Sequence, residues 1–260
     1  MAAIHPSAVI EEGAEIGPDV SIGPFCHVGG EVVLGAGVVL KSHVVIAGAT
    51  EIGPGTTIWP FAVIGEVPQD LKYRGEATRL RIGAGTRIRE HVTINIGTEG
   101  GGGLTEVGDD CLIMAGAHVA HDVRIGNGVI LVNHASIAGH CRIEDQVIVG
   151  GLAGVHQWVR IGRGAIIGAL SMVTHDVIPN GLVQGPRAEL DGLNLVGLKR
   201  RGVARDEINA LRSVFEALRT GEGSFVDKAR ALGTTSDSTH VAELVAFVTG
   251  ESDRQFLTPR

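Results

Sequence analysis

The sequence predicts a parallel β-helix of six-residue repeats followed by a small α-helical tail. Three observations predict it. Branched aliphatic residues recur at every sixth position from Ile4 through Ile10, Ile16, Ile22, Val28, Leu34, Leu40, Ile46, Ile52 and Ile58 to Ile64. The residue two before each is restricted in size, from Ala2, Ala8 and Ala14 through Val20, Cys26 and Val32 to Ala165 and Ser171, with Leu80 the large exception. A glycine often follows the aliphatic, as at Gly17, Gly53 and Gly126, which suits a turn.

One large and one small inward side chain every six residues means very short strands joined by tight turns. Three such units close a triangular coil of eighteen residues, and coils stack at the parallel strand spacing of roughly 4.8 Å. Stability is then close to a sum over neighbouring coils. Aromatic residues make up only 3% of the chain, so the core has to be thin and regular.

Along the chain, the phase resumes at Ile82, Ile88 and Ile94, then restarts one residue out of step at Val107 and holds to Val173. Two segments break it, residues 65–81 and the glycine-rich residues 97–106. Loops that leave a regular solenoid are where binding groups sit. Beyond about residue 180 the period changes. Asp206 to Thr220 reads as an amphipathic helix with Asp206 as its N-cap, and shorter helical stretches follow at 224–232 and 239–249. The expected division is a β-helix over 1–186 and a helical domain over 187–260, the latter too small to bury a core alone.

The net charge of −7 argues against general nucleic-acid binding, with Lys199, Arg200 and Arg201 a local exception. No run of about 18 apolar residues and no leader-like N-terminus are found, so a cytoplasmic protein without a transmembrane segment is expected. Cys26, Cys111 and Cys141 form neither a disulfide framework nor a zinc pattern. All three fall at the small inward position.

The coil period sorts the histidines. Eighteen residues separate His121, Gly139 and Gln157, with His140 and His156 one residue to either side of that column. Asn95 falls beneath it once the loop at 97–106 is excised. One edge of the prism therefore carries Asn95, His121, His140, His156 and Gln157. His27, His43, His91 and His175 read as polar turn residues. His118 and His121 are separated by only two residues and no third ligand follows in phase, so no tetrahedral metal site is expected. An imidazole near neutrality suits a general base for acyl transfer to a hydroxyl. Asp122 could orient His121 if a turn separates them, and the Gly139 N–H could stabilise an oxyanion.

The segments 117–123 (AHVAHDV), 152–158 (LAGVHQW), 65–76 (GEVPQDLKYRGE), 101–108 (GGGLTEVG) and 194–202 (NLVGLKRRG) closely resemble the acyl-carrier-protein-dependent UDP-N-acetylglucosamine O-acyltransferases. These enzymes start lipid A synthesis in Gram-negative bacteria. The resemblance runs over essentially the whole chain. It implies an all-β left-handed parallel β-helix, the hexapeptide-repeat solenoid, with a C-terminal α-helical domain. It also implies a homotrimer with active sites between subunits, and transfer of an (R)-3-hydroxyacyl group from acyl carrier protein to the 3-position of UDP-N-acetylglucosamine, with no cofactor.

By the same resemblance His121 is the base, Asp122 its partner and Gly139 the oxyanion donor. Asp70, Lys72, Asn95, His118, His140, His156, Gln157, Asn194, Arg200 and Arg201 bind substrate. Ala169 closes the acyl groove, and with one methyl more than glycine it implies a chain of about 12 carbons. The chain departs from the family pattern at Asn95-Ile96 and Val196, where well-known members have His-Arg and Glu, which admits a 3-amino analogue as acceptor. A related enzyme that N-acylates glucosamine carries an additional N-terminal domain, for which repeats beginning at Ile4 leave no room. A purely structural solenoid does not account for the histidine column or the two loops.

Overall fold

The computed structural model describes residues 2–233 and 236–259. The repeats form two-residue strands such as Ser21–Ile22, His27–Val28 and Val33–Leu34, which alternate among three parallel sheets in strict rotation. Away from the two interruptions and the last coil, each strand pairs with the one eighteen residues on, for example Ala3 with Ser21 and Ile4 with Ile22. We call the sheets first, second and third in the order the chain visits them. The result is a left-handed parallel β-helix.

The core is the repeat made solid. The aliphatic positions from Ile22 to Ile167 are almost wholly buried, whereas Ile4, on the open first coil with nothing beneath it, is 44% exposed. The three cysteines lie inside as expected, their thiols donating to backbone carbonyls of Lys41, Gly126 and His156. Burial pushes the Cys111 thiol up to about 11 and that of Cys141 to about 12. Leu80, too large for its class, is accommodated because its partners in the coils below and above are Thr50 and Thr105.

Both interruptions are excursions from an otherwise unbroken sheet, and both are shorter than expected. Val63–Glu66 and Arg79–Ile82 are strands, so the first excursion spans 67–78. The second is confined to 97–103 and contains a single 3-10 turn, Glu99–Gly101. Leu104–Val107 rejoins the third sheet because its alternating side chains match the strand Arg79–Ile82 beside it.

At the far end the strand Gly181–Gln184 turns back into the antiparallel strand Glu189–Leu193, and residue 186 lies in the turn between them. Four helices follow among the described residues: α1 (Leu195–Arg200), α2 (Arg205–Thr220), α3 (Phe225–Gly233) and α4 (Thr239–Thr249). Asp206 is not the N-cap of α2. The N-cap lies two residues earlier, at Ala204, which leaves Asp206 in the first turn, where a negative charge still meets the positive end of the helix dipole. The tail packs on the last coils. Arg160 lies over the rings of Phe247 and Phe256 and pairs with buried Asp176 at 2.7 Å.

Candidate active site

His121 and Asp122 lie in the turn between the second-sheet strand His118–Val119 and the third-sheet strand Arg124–Ile125. The same turn one coil up holds Gly139 and His140, and the next holds Gln157 and Trp158. The second residue of each is left-handed, with φ of 59° at Asp122, 63° at His140 and 68° at Trp158. That conformation swings the Asp122 carboxylate back to its neighbour, and Nδ1 of His121 donates to Oδ2 at 2.8 Å. An ionised carboxylate only accepts, so this bond puts the ring proton on Nδ1 and leaves Nε2 as the free base.

Two features of Gly139 serve this ring. A Cβ there would come within 2.8 Å of Nε2 and 2.7 Å of Cε1 of His121, so only glycine lets the imidazole lie against the turn. Its N–H also has no acceptor among the described residues. The equivalent turn position is proline at 18, 24, 54 and 60, which shows that this N–H plays no part in the ladder.

Asp122 is buried and heavily bonded. Its Oδ1 accepts the backbone N–H of Thr98 at 2.8 Å and its Oδ2 the Thr98 hydroxyl at 2.6 Å, while its own N–H donates to Thr105 Oγ1 at 2.8 Å. Burial opposes its charge, but the bonds from His121 and Thr98 prevail and hold the carboxyl below its usual range. The glycine run of the second excursion is explained at the same place, since a Cβ on Gly101 would come within 2.0 Å of Asp122 Cγ. Thr98 and Thr105, which hold this aspartate in place, were missed by sequence reasoning.

His140 stacks face to face on Trp158 at 3.9 Å and meets His121 edge-on at 4.9 Å. Burial holds its pKa below the usual value against the opposing charge of Asp122; Asp70 and Lys72, from the first excursion, are close enough to act on it too. His118 is likewise lowered by burial, and its Nδ1 pairs with Thr93 Oγ1 at 2.7 Å.

On the second-sheet side of His121 lies a largely apolar cleft of about 460 Å³. Asn95, His118, Gly139 and His156 line it as expected, joined by Gln69, Ser136, Gly154 and Met172, which the sequence did not single out. His156 Nδ1 is 2.8 Å from the guanidinium of Arg254, which also donates to the Gln157 carbonyl; no pattern in the sequence links residues so far apart.

The other expected residues sit elsewhere in the single chain. Asn194 caps α1 by accepting from Gly197 N–H and donates to the Gly164 carbonyl, at the corner between third and first sheets. Arg201 is bonded to Asn180 at that corner, and Arg200 is exposed at the end of α1. Ala169 is exposed in the turn between first and second sheets. Ile96 faces a separate cavity with Gly48 and Tyr73, and Val196 is 60% exposed on α1, so neither lines the cleft. Of the histidines read as turn residues, His43 and His91 alternate with Phe25 and Phe61 in a stacked ladder at another corner.

His121, Asp122 and His140 bring one ligating atom each within 4.8 Å of one another, a grouping that spacing along the sequence did not reveal. The spacing fits a shared proton better than a metal. Oδ2 of Asp122 is 2.8 Å from His121 Nδ1, whereas ligands of tetrahedral zinc stand about 3.3 Å apart at bond lengths of about 2.0 Å.

The chain matches known proteins over nearly its whole length. Residues 176–257 match the family model described as UDP-N-acetylglucosamine O-acyltransferase, domain 2, and residues 13–48, 31–66 and 105–139 match bacterial transferase hexapeptide repeats. The chain is 66% identical over 201 residues, 77% of this chain and 76% of the relative, to the acyl-(acyl-carrier-protein)–UDP-N-acetylglucosamine O-acyltransferase of Paracoccus denitrificans. It is 61% identical to the enzyme of that name from Methylobacterium radiotolerans, over 99% of this chain and 95% of the relative. The solved UDP-N-acetylglucosamine acyltransferase of Campylobacter jejuni superposes with a TM-score of 0.93 at 38% identity, covering 99% of this chain and 100% of that one.

Proposed function

The chain belongs to the UDP-N-acetylglucosamine O-acyltransferase family, and on that footing we propose that His121 is the general base of its acyl transfer. The enzyme moves an acyl group from acyl carrier protein to UDP-N-acetylglucosamine, the first step of lipid A biosynthesis. The observation that carries the base assignment is the geometry of one turn: His121 is fixed by buried Asp122 on one side and presents Nε2 beside the Gly139 N–H on the other.

With an (R)-3-hydroxyacyl thioester in the cleft, the sugar 3-hydroxyl attacks the carbonyl carbon while Nε2 takes its proton. The carbonyl oxygen becomes an oxyanion that the Gly139 N–H stabilises. Collapse reforms the carbonyl and expels the phosphopantetheine thiolate, which takes the proton back from Nε2. Asp122 stabilises the imidazolium in between. The thioester arrives already activated, so the step draws on no cofactor.

Asp70, Lys72, His118, His140, His156 and Gln157 surround this corner and suit the nucleotide sugar and the pantetheine arm. Asn194, Arg200 and Arg201 lie at a different corner, which supports a site shared between copies. The outward face of the first sheet supports the same reading, because Leu112, Ile130, Ile148 and Ile166 form a half-buried aliphatic stripe in register. A homotrimer would bury that stripe and bring the two corners together. Among the described residues no helix is long and apolar enough to cross a membrane; a cytoplasmic location is part of the same proposal.

The test is transfer itself. The purified protein, given 3-hydroxyacyl carrier protein and UDP-N-acetylglucosamine, should form the acylated sugar nucleotide detected by mass. His121→Ala should lower kcat by at least about 10²-fold with the fold intact. Near wild-type turnover in that variant would remove His121 from the role.

A further inference from the structure

His156 follows the strand Gly154–Val155, one coil above Ala138, and its ring lines the same cleft as His121 and Gly139. Arg254, from the tail, stands against it. One guanidinium Nη is 2.8 Å from His156 Nδ1, and Nε donates to the Gln157 carbonyl at 3.1 Å. That carbonyl is itself 3.2 Å from Nδ1. Two partners therefore compete for Nδ1, and they demand opposite things of it. A carbonyl only accepts, so it would take a proton carried on Nδ1. A guanidinium only donates and does not give up its protons, so it needs the Nδ1 lone pair. Arg254 prevails because it is the nearer partner and because it also occupies the carbonyl.

Arg254 is held in place by a clamp on buried Asp176. Ser252 Oγ donates to Asp176 Oδ2 at 2.7 Å and accepts the Arg254 N–H at 3.0 Å. The Asp176 N–H donates to the Gln255 carbonyl, and the Leu257 N–H to the Asp176 carbonyl, both at 2.8 Å.

We propose that Arg254 is a positioning residue for acyl transfer, which fixes the ring proton of His156 on Nε2 and makes that nitrogen a hydrogen-bond donor to the acyl thioester in the cleft. The proposal rests on the reading of this cleft as the site of transfer. Nε2 has no partner among the described residues and is left to the cleft. His121 and His156 are then set in opposite tautomers by groups of opposite charge. The Asp122 carboxylate draws the proton of His121 to Nδ1 and frees its Nε2 to accept. The guanidinium keeps the proton of His156 off Nδ1, so its Nε2 can only give. The reaction has a use for both. The attacking group needs a base, and the thioester and the amides of its pantetheine arm bring carbonyl oxygens that need donors. Without Arg254 the ring would donate from Nδ1 to the Gln157 carbonyl, a common arrangement for histidine. It would then turn a lone pair towards the lone pairs of the substrate.

The first experiment reads the tautomer directly. In protein labelled with nitrogen-15 at histidine, the His156 signals are assigned by their loss in His156→Gln. At about pH 8 the wild type should show Nε2 protonated and Nδ1 bare, and Arg254→Met should reverse the two. The second experiment is a double-mutant cycle. Arg254→Met, with an unchanged melting temperature, should lower kcat/KM for the acyl-carrier-protein thioester by about 5–10-fold, the scale of one hydrogen bond. In the His156→Gln background the same substitution should cost less than about 2-fold, because an amide nitrogen carries its hydrogens whatever stands behind it. Equal penalties in the two backgrounds would mean that Arg254 merely anchors the tail. A wild-type ring protonated on Nδ1 overturns the proposal by itself, and that measurement stands even should Arg254→Met fold poorly. Wild-type protein that has the expected tautomer but transfers no acyl group would instead sink the reading of the cleft, and the role of Arg254 in transfer with it.

Discussion

Thr98 and Asp122, 24 residues apart, are joined by two hydrogen bonds, one from the Thr98 N–H at 2.8 Å and one from its hydroxyl at 2.6 Å. The excursion at 97–103 exists, on this geometry, to hold the aspartate that holds the base. The order runs from a break in the repeat, to a buried threonine, to a fixed carboxylate, to the tautomer of His121.

Thr98→Val keeps shape and burial but removes the hydroxyl. A hydrogen bond to a charged group is worth roughly 1.5–3 kcal/mol, so kcat should fall about 10–100-fold. KM for both substrates should barely change, and the acid limb of the pH–rate profile should move. Thr98→Ser should restore turnover. A change in KM alone, or no rescue by serine, would mean that Thr98 only supports the loop.

How much of this was legible in the sequence follows from how local each signal is. The coil period is carried by every sixth residue, so the fold and the vertical alignment of His121 with Gly139 could be read directly. The turn that lets His121 and Asp122 pair was required in advance, and the φ of 59° at Asp122 supplies it. Thr98 and Thr105 were hidden because the phase is lost across 97–103, and register across a break is set by pairing, not by counting. Arg254 was hidden more thoroughly. It reaches His156 from the last residues of the chain because the tail folds back onto the end coils, a tertiary event with no period of its own. The N-cap of α2 was misplaced by two residues, the usual uncertainty of a helix end.

Stability should decline as the pH falls from about 7 towards 5. His118 and His140 are both held below the usual histidine value, chiefly by burial. The unfolded chain takes up protons near pH 6.5, while the folded chain resists until lower pH. The unfolded state thus binds more protons in that window and gains relative to the folded one. Urea midpoints measured across this range should fall, and the fall should be shallower in His118→Asn and His140→Asn. A flat profile in the wild type would contradict the burial of these rings. Asp122, depressed instead, contributes above about pH 4 and loses its contribution only as pH drops below that.

Turnover should survive exhaustive dialysis against a strong chelator, even though His121, Asp122 and His140 cluster closely enough to suggest a cation. Both carboxylate oxygens of Asp122 are already engaged by Thr98 and His121, and a metal would have to displace those bonds. Loss of activity on dialysis, recovered by adding zinc, would establish a metal centre in place of the base–carboxylate pair.

The choice of acceptor turns on Asn95. Its Nδ2 donates to the carbonyls of Glu66 at 3.3 Å and Val67 at 3.1 Å, and these partners fix which end of the amide is nitrogen. Oδ1 therefore points the other way, and it has no hydrogen-bond partner although the residue is 4% exposed and lines the cleft beside His121. An unpaired buried acceptor costs roughly 1–3 kcal/mol. A sugar hydroxyl at the 3-position has one hydrogen, and the reaction commits it to His121. An amine at the same position has a second hydrogen to give to Asn95, and it is also the stronger nucleophile. We therefore predict that UDP-N-acetylglucosamine is accepted but that its 3-amino analogue is preferred, with kcat/KM higher by about 10-fold or more on the scale of one such bond. Asn95→Ala should shrink the ratio between the two acceptors more than it lowers turnover of the hydroxyl sugar. Side-by-side kinetics with both nucleotides decide it: a kcat/KM for the hydroxyl sugar equal to or above that for the amine would show that Oδ1 finds its donor elsewhere.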